Sequence, residues 1–110
     1  MRLKYKELYG HEGVCDIKKY NNIIICTHEA ECAATGVKGS QESLMEYVIR
    51  RFDLDTTTLE WISYDPWKEK NKYTRVIFSY ADGKVERRKG ETITIEQLNE
   101  MIRKSGDYIM

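Results

Sequence analysis

Hydrophobic residues near the start of the chain fall in two strand-like stretches, 14–20 and 23–28. Both are rich in the β-branched and apolar residues that strands favour. Asn21 and Asn22 separate them, and asparagine tolerates the positive φ angles of a tight turn. The pattern therefore predicts a β-hairpin with a two-residue loop.

Such a loop also fixes which residues of the hairpin lie opposite each other. Tyr20 is predicted to oppose Ile23, and the pairing then continues along both strands with Ile17 opposite Cys26 and Cys15 opposite His28. Successive side chains in a strand point to opposite faces of the sheet. The residues predicted to share one face are Cys15, Ile17, Ile24, Cys26 and His28.

Two later stretches have the apolar spacing of amphipathic helices. The first is predicted over residues 41–52, with Ser40 as a candidate N-cap. Its apolar stripe consists of Leu44, Met45, Val48, Ile49 and Phe52. The second begins after Thr94, which forms a capping box with Gln97, and ends near Lys104.

The remaining patterns predict strands over 3–9, 56–64, 73–80 and 85–89, the last ended by Gly90. Asp82-Gly83 between the last two is a strong hairpin turn signal. The predicted order is β-β-β-α-β-β-β-α in a single domain spanning residues 1–110. We expect an α+β fold with a mostly antiparallel sheet and both amphipathic helices packed on one face.

Composition limits the cellular location and the classes of partner expected for the protein. Its 110 residues carry no net charge, so no global field draws it to nucleic acid or to a membrane. No apolar segment of a signal peptide follows Met1, and the longest apolar run, 23–26, is far too short to span a bilayer. We therefore expect a cytoplasmic protein with reduced cysteines and no membrane partner.

Soft metal ligands are concentrated in the predicted hairpin. Its register brings Cys15, Cys26 and His28 together, and zinc is held by such side chains. The spacing matches no known zinc module, however, and buried cysteine behaves as a small hydrophobe. Packing in the core is the favoured interpretation. We therefore predict no metal, no cofactor and no catalytic residue, and keep these three residues as the candidates for a metal site.

Aromatic residues flank a highly charged connector in the second half of the chain. Tyr64, Trp67 and Tyr73 lie there with Arg75 close by, and these residue types are enriched at protein-binding hot spots. An acidic patch that includes Glu29 and Glu31 is a further candidate. Another protein is therefore the predicted partner.

Nucleic-acid binding is the alternative. Residues 68–89 contain eight basic and three acidic side chains, whereas residues 29–65 contain three basic and eight acidic ones. Basic side chains that contact phosphate, interleaved with aromatic rings that stack on bases, are what a sheet-type binder needs. The candidates are Lys72, Lys84, Arg87, Arg88 and Lys89, in the basic and aromatic segment 67–89, which also holds Trp67, Tyr73, Phe78 and Tyr80.

Several short motifs resemble one known group of proteins. They are Gly13-Val14-Cys15-Asp16-Ile17, Ile24-Ile25-Cys26-Thr27, Arg50-Arg51-Phe52, Trp61-Ile62 followed by Pro66, and Tyr73-Thr74-Arg75-Val76-Ile77-Phe78. Together they resemble a family of small proteins of this size carried on plasmids, phages and other mobile elements, to which no activity is assigned. The resemblance covers most of the chain but not the polar segment 27–40.

The lack of a catalytic constellation predicts a non-enzymatic protein-binding module, and the resemblance implies that a mobile element encodes it. We expect an inhibitor or modulator of a host protein complex, such as a defence complex, that acts by occluding its partner's surface. Unpaired edge strands also allow pairing with a second copy into a homodimer.

Overall fold

A computed structural model describes residues 2–6, 12–28, 40–66 and 69–105, which form six strands and two helices. The first three strands are β1 (Arg2–Lys6), β2 (Glu12–Tyr20) and β3 (Ile23–His28), followed by helix α1 (Ser40–Phe52). The next three are β4 (Glu60–Tyr64), β5 (Tyr73–Ala81) and β6 (Lys84–Ile93), followed by helix α2 (Ile95–Lys104). Neither helix is long and apolar enough to cross a membrane.

All six strands form one sheet, in which they lie side by side in chain order. Neighbouring strands are antiparallel except β3 and β4, which run parallel. Parallel neighbours need a crossover connection, and α1 lies in the segment that joins this pair. The α+β class and the largely antiparallel sheet are confirmed, and the central parallel pair makes the sheet a mixed one.

The two helices cover opposite faces of the sheet, so the expectation of both on one face is wrong. Neighbouring residues of β3 divide between two core clusters. The α1-side cluster includes Ile24, Cys26, Trp61, Leu44 and Val48. The α2-side cluster includes Ile23, Ile25, Ile62, Leu98 and Ile102. Because β3 is apolar at successive positions, both of its faces have to be covered.

The predicted hairpin register is confirmed. Tyr20 pairs with Ile23, Ile17 with Cys26, and Cys15 with His28. In the loop, Asn21 has a φ of +55°. In the second tight hairpin, Asp82 and Gly83 have φ angles of +54° and +75°, as a type I′ turn requires.

Local signals also fix the helix ends. The backbone N–H of Leu54 reaches back to the carbonyl of Ile49 at 3.0 Å, across Asp53 at a φ of +50°. This arrangement satisfies a terminal carbonyl of α1 and buries Leu54. At the start of α2, the capping box of Thr94 and Gln97 is present in both directions.

Strand β6 does not end at Gly90 as predicted but continues to Ile93. The register against β5 shifts there, because Val76 pairs with Lys89 while Thr74 pairs with Thr92. Two residues of β6 thus oppose Arg75, which defines a β-bulge. A Cβ atom at Gly90 would lie 2.5 Å from the carbonyl oxygen of Arg75, so glycine allows the close approach.

We expect Gly90→Ala to lower the free energy of unfolding by about 1–3 kcal/mol, because the added methyl group collides with backbone that cannot move independently. Urea denaturation monitored by circular dichroism measures the change. Ser79→Ala, at an exposed position of the neighbouring strand, is the matched control and should stay within about 0.5 kcal/mol of the wild type. Equal stability of the two variants would contradict the bulge.

Candidate functional site

Two tyrosines meet on the α2 side of the sheet. Tyr64 is the last residue of β4, Tyr73 is the first of β5, and the two are paired directly across the strands. Their ring centroids lie 4.3 Å apart with an interplanar angle of 24°, a stacked arrangement. Both side chains are half-buried, and Tyr73 packs against the α2-side cluster. The pair is therefore held by the core, while each ring keeps part of its surface exposed among the described residues.

The turn between the two strands helps to hold this pair. The backbone N–H of Asn71 donates a hydrogen bond of 3.2 Å to the hydroxyl oxygen of Tyr64. Asn71 has a φ of +62°, which asparagine tolerates better than most residues. The hydroxyl group of Tyr64 is thus tied to the turn while its ring is held by Tyr73.

Three predicted protein-binding residues lie outside the described residues. They are Trp67, in the same connector, and Glu29 and Glu31. The structure therefore brings together Tyr64 and Tyr73 and places Arg75 on the same face, two residues further along β5.

The surroundings of the Tyr73 phenol favour its protonated form. Burial, followed by the neighbouring Tyr64, raises the pKa of Tyr73 above its ordinary value of 10.0. The phenol of Tyr73 therefore stays protonated to a higher pH than that of an exposed tyrosine.

Arg75 is engaged within the sheet. Its guanidinium donates hydrogen bonds of 2.6 and 3.2 Å to the two carboxylate oxygens of Glu60, and one of 2.6 Å to Glu91. These bonds, first to Glu60 and then to Glu91, raise the pKa of Arg75. The network joins β4, β5 and β6. Arg75 thus orders the surface beside the tyrosines instead of offering an uncompensated cation.

An open cleft of about 490 Å³ lies next to this network, where β4 begins. Residues of its lining include Thr57, Leu59, Ile77 and Phe78, together with the three charged side chains. Sequence reasoning missed Glu60 and Glu91. The patterns of the single strands carry no signal for them, because the ion pairs depend on how neighbouring strands align.

The segment before β4 is fixed by the Asn21-Asn22 turn. The side-chain amide of Asn22 donates to the backbone carbonyl of Asp55 at 2.9 Å, and the backbone carbonyl of Asn22 accepts from the backbone N–H of Glu60 at 3.0 Å. Asp55 accepts hydrogen bonds from the hydroxyl and backbone N–H of Thr57, which lower the pKa of its carboxyl group. This carboxylate therefore stabilises a turn.

Cys15, Cys26 and His28 share the α1 side of the sheet as predicted, and all three are buried. The Sγ atom of Cys26 lies 3.6 Å from Nε2 of His28, and both cysteines belong to the α1-side cluster. Among the described residues, no group of three or more His, Cys, Asp or Glu side chains is placed to hold a metal ion. The arrangement favours the packing interpretation.

Two aromatic residues of the basic segment pack against the core, while three of its basic residues are exposed. Lys84, Arg88 and Lys89 are exposed on β6, whereas Phe78 and Tyr80 pack against the α1-side cluster. Two further candidates complete the predicted set. Lys72 forms an ion pair with Glu69 at 3.1 Å, and the side chain of Arg87 lies outside the described part of the structure.

Comparison of the chain with protein-family models, with curated proteins and with solved structures gave no match.

We expect the free energy of unfolding to fall as the pH rises through the folded-state pKa of Tyr73. Because that pKa lies above the unfolded-state value, its contribution is complete below pH 10.0 and is lost as the phenol ionises. Urea denaturation between about pH 9 and pH 11 measures the slope, which should be smaller in Tyr73→Phe. Identical slopes in the wild type and this variant would show that burial does not hold the phenol protonated.

Proposed function

We propose that this chain is a non-enzymatic protein-binding domain whose contact surface is centred on the stacked tyrosines. We call this the tyrosine surface and define it as Tyr64, Asn71, Lys72 and Tyr73. The observation that supports this proposal most strongly is the stack itself, which is half-buried at one end of the sheet and already ordered in the unbound chain.

Tyrosine supplies a large contact area at a small cost in conformational entropy, because only two side-chain torsions have to be fixed. Here both rings are already positioned by pairing between β4 and β5, and the hydroxyl of Tyr64 is bonded to Asn71. Less ordering is then required when a partner binds. The Lys72–Glu69 ion pair lies next to the stack in sequence and supplies polar groups for the rim of an interface.

The more specific form of the proposal is an inhibitor or modulator encoded by a mobile element. It acts by occlusion, placing a rigid sheet end over a surface that a host complex, such as a defence complex, needs. This form rests on the resemblance of the sequence motifs. Within the described part of the acidic segment, Glu46 has an internal role, since it accepts a hydrogen bond from the backbone of Val85. The tyrosine surface is therefore the preferred contact.

We expect Tyr64→Ala and Tyr73→Ala each to weaken partner binding by about 2 kcal/mol or more, roughly 30-fold, as for buried hot-spot tyrosines. The tagged protein is used to capture its partner from nuclease-treated extract of cells that carry the chain. Bound protein is identified by mass spectrometry and its affinity is then measured by titration. Tyr47→Ala is the matched control, because Tyr47 is 49% exposed on α1.

Circular dichroism establishes that each variant is folded before binding is compared. Full binding by both stack variants would contradict the tyrosine surface. Capture of nucleic acid alone, with every protein lost after nuclease treatment, would contradict protein binding and favour the basic segment.

A further inference from the structure

The outer side of β6 is an open sheet edge. This strand is the last in the sheet order, and no described strand pairs with its outer side. It follows β5 regularly from Lys84 to Lys89, until the bulge at Gly90 interrupts the ladder. The outward backbone groups of this run can therefore pair with another chain, apart from the N–H of Val85, which a side chain of α1 already occupies.

The register identifies the backbone groups that point outwards. In a two-residue hairpin, the residues flanking the loop exchange hydrogen bonds, and pairing alternates beyond them. Ala81 and Lys84 flank the Asp82-Gly83 loop. The N–H and carbonyl groups of Val85, Arg87 and Lys89 should consequently face away from β5.

One contact supports this orientation of the backbone groups independently. The N–H of Val85 donates a hydrogen bond of 3.0 Å to a carboxylate oxygen of Glu46, on α1. Its bond to a side chain outside the sheet places it on the outer side of β6. The next outward groups, those of Arg87 and Lys89, continue the same line beyond the helix contact.

The exposed, described side chains of this edge carry a net positive charge, three cations against the one carboxylate of Glu86. Lys84, Arg88 and Lys89 are exposed, and none of them forms an ion pair with another described residue. Arg88 pairs with Ile77 and lies on the α2 side, whereas Lys89 pairs with Val76 and lies on the α1 side. A strand added at the edge would run between these cations and could place side chains against both sets.

We propose that the edge formed by residues 84–89 binds an extended acidic segment of a partner protein, which joins the sheet as a seventh strand. Main-chain hydrogen bonds would supply affinity, and carboxylates on alternate faces would supply selectivity. The edge is distinct from the tyrosine surface, since Tyr73 pairs with Ile93 on the other side of the bulge. The proposal therefore does not rest on the tyrosine surface.

The charge of the β6 edge argues against two other binding partners, a second copy of the chain and a nucleic acid. Two copies of β6 would share an excess of positive charge, because each run 84–89 holds one acidic residue, Glu86, against its basic residues, and natural edge strands use such like charge to prevent self-pairing. Nucleic acid would need the cations on one face together with accessible aromatic rings. Instead the cations divide between the two faces, and Phe78 and Tyr80 pack against the α1-side cluster.

The direct test is titration of the full chain with a fluorescent peptide of about eight residues that alternates glutamate with valine. A control peptide of equal charge carries proline in place of two valines and cannot complete the ladder. We expect the first peptide to bind and the second to bind at least about tenfold more weakly. No binding of the first peptide, or equal binding of both, would overturn the proposal.

Charge reversal on the protein tests the flanking cations. The triple variant Lys84→Glu, Arg88→Glu, Lys89→Glu should lose at least about tenfold in affinity for the alternating peptide. The matched control is Lys18→Glu, Lys19→Glu, Lys70→Glu, which changes the net charge equally at exposed positions away from β6. Similar losses of affinity in both triple variants would show that overall charge, and not the position of the cations on β6, determines binding. That result would overturn the proposal.

Amide hydrogen exchange locates the added strand. On peptide binding, the amides of Arg87 and Lys89 should exchange more slowly, while those of Glu86 and Arg88, already paired with β5, should not change. Protection confined to other residues would overturn the proposal. So would tight binding of an oligothymidine without this protection, or dimerisation of the chain through the same amides in sedimentation experiments.

Discussion

The rest of the structure depends on the burial of strands β3 and β4 on both faces. Ile23, Ile24, Ile25 and Cys26 are consecutive and all buried, and Ile62 of the neighbouring strand is fully buried. Burying one such side chain contributes about 1.5–3 kcal/mol, so leaving either face open would be costly in a small domain. The fold meets this constraint with one helix on each face. The parallel pairing of the two strands follows from the crossover through α1.

This central pair also sets where function can reside. Because the helices cover the middle of the sheet, accessible features remain at its ends and edges. The tyrosine surface lies where β4 ends and β5 begins, with one ring packed on the α2-side cluster. The open edge of β6 lies beyond the bulge, past the Arg75 network that ties three strands together. Both surfaces are held by strands anchored in the same core.

Local chemistry was predictable from the sequence, whereas long-range arrangement was not. The Asn21-Asn22 loop fixed the register of its hairpin, and Asp82-Gly83 specified a type I′ turn, because such turns depend on residues adjacent in the chain. The apolar run of 23–26 carried the signal for a strand buried on both faces, but the hairpin pattern favoured a single core face. At the candidate site, the pairing of Tyr64 with Tyr73 depends on the register of β4 against β5. The Arg75 network depends on the bulge between β5 and β6. Neither contact could be derived from the spacing of residues along the chain.

Native-state hydrogen exchange tests the central claim most directly. If β3 and β4 form the two-sided core, the amides of Ile24, Ile25 and Ile62 should exchange only through global unfolding, with a free energy equal to that from urea denaturation. The outward amides of β6 should exchange much faster. Exchange of the β3 and β4 amides through local opening, at rates close to those of the β6 edge, would contradict the account.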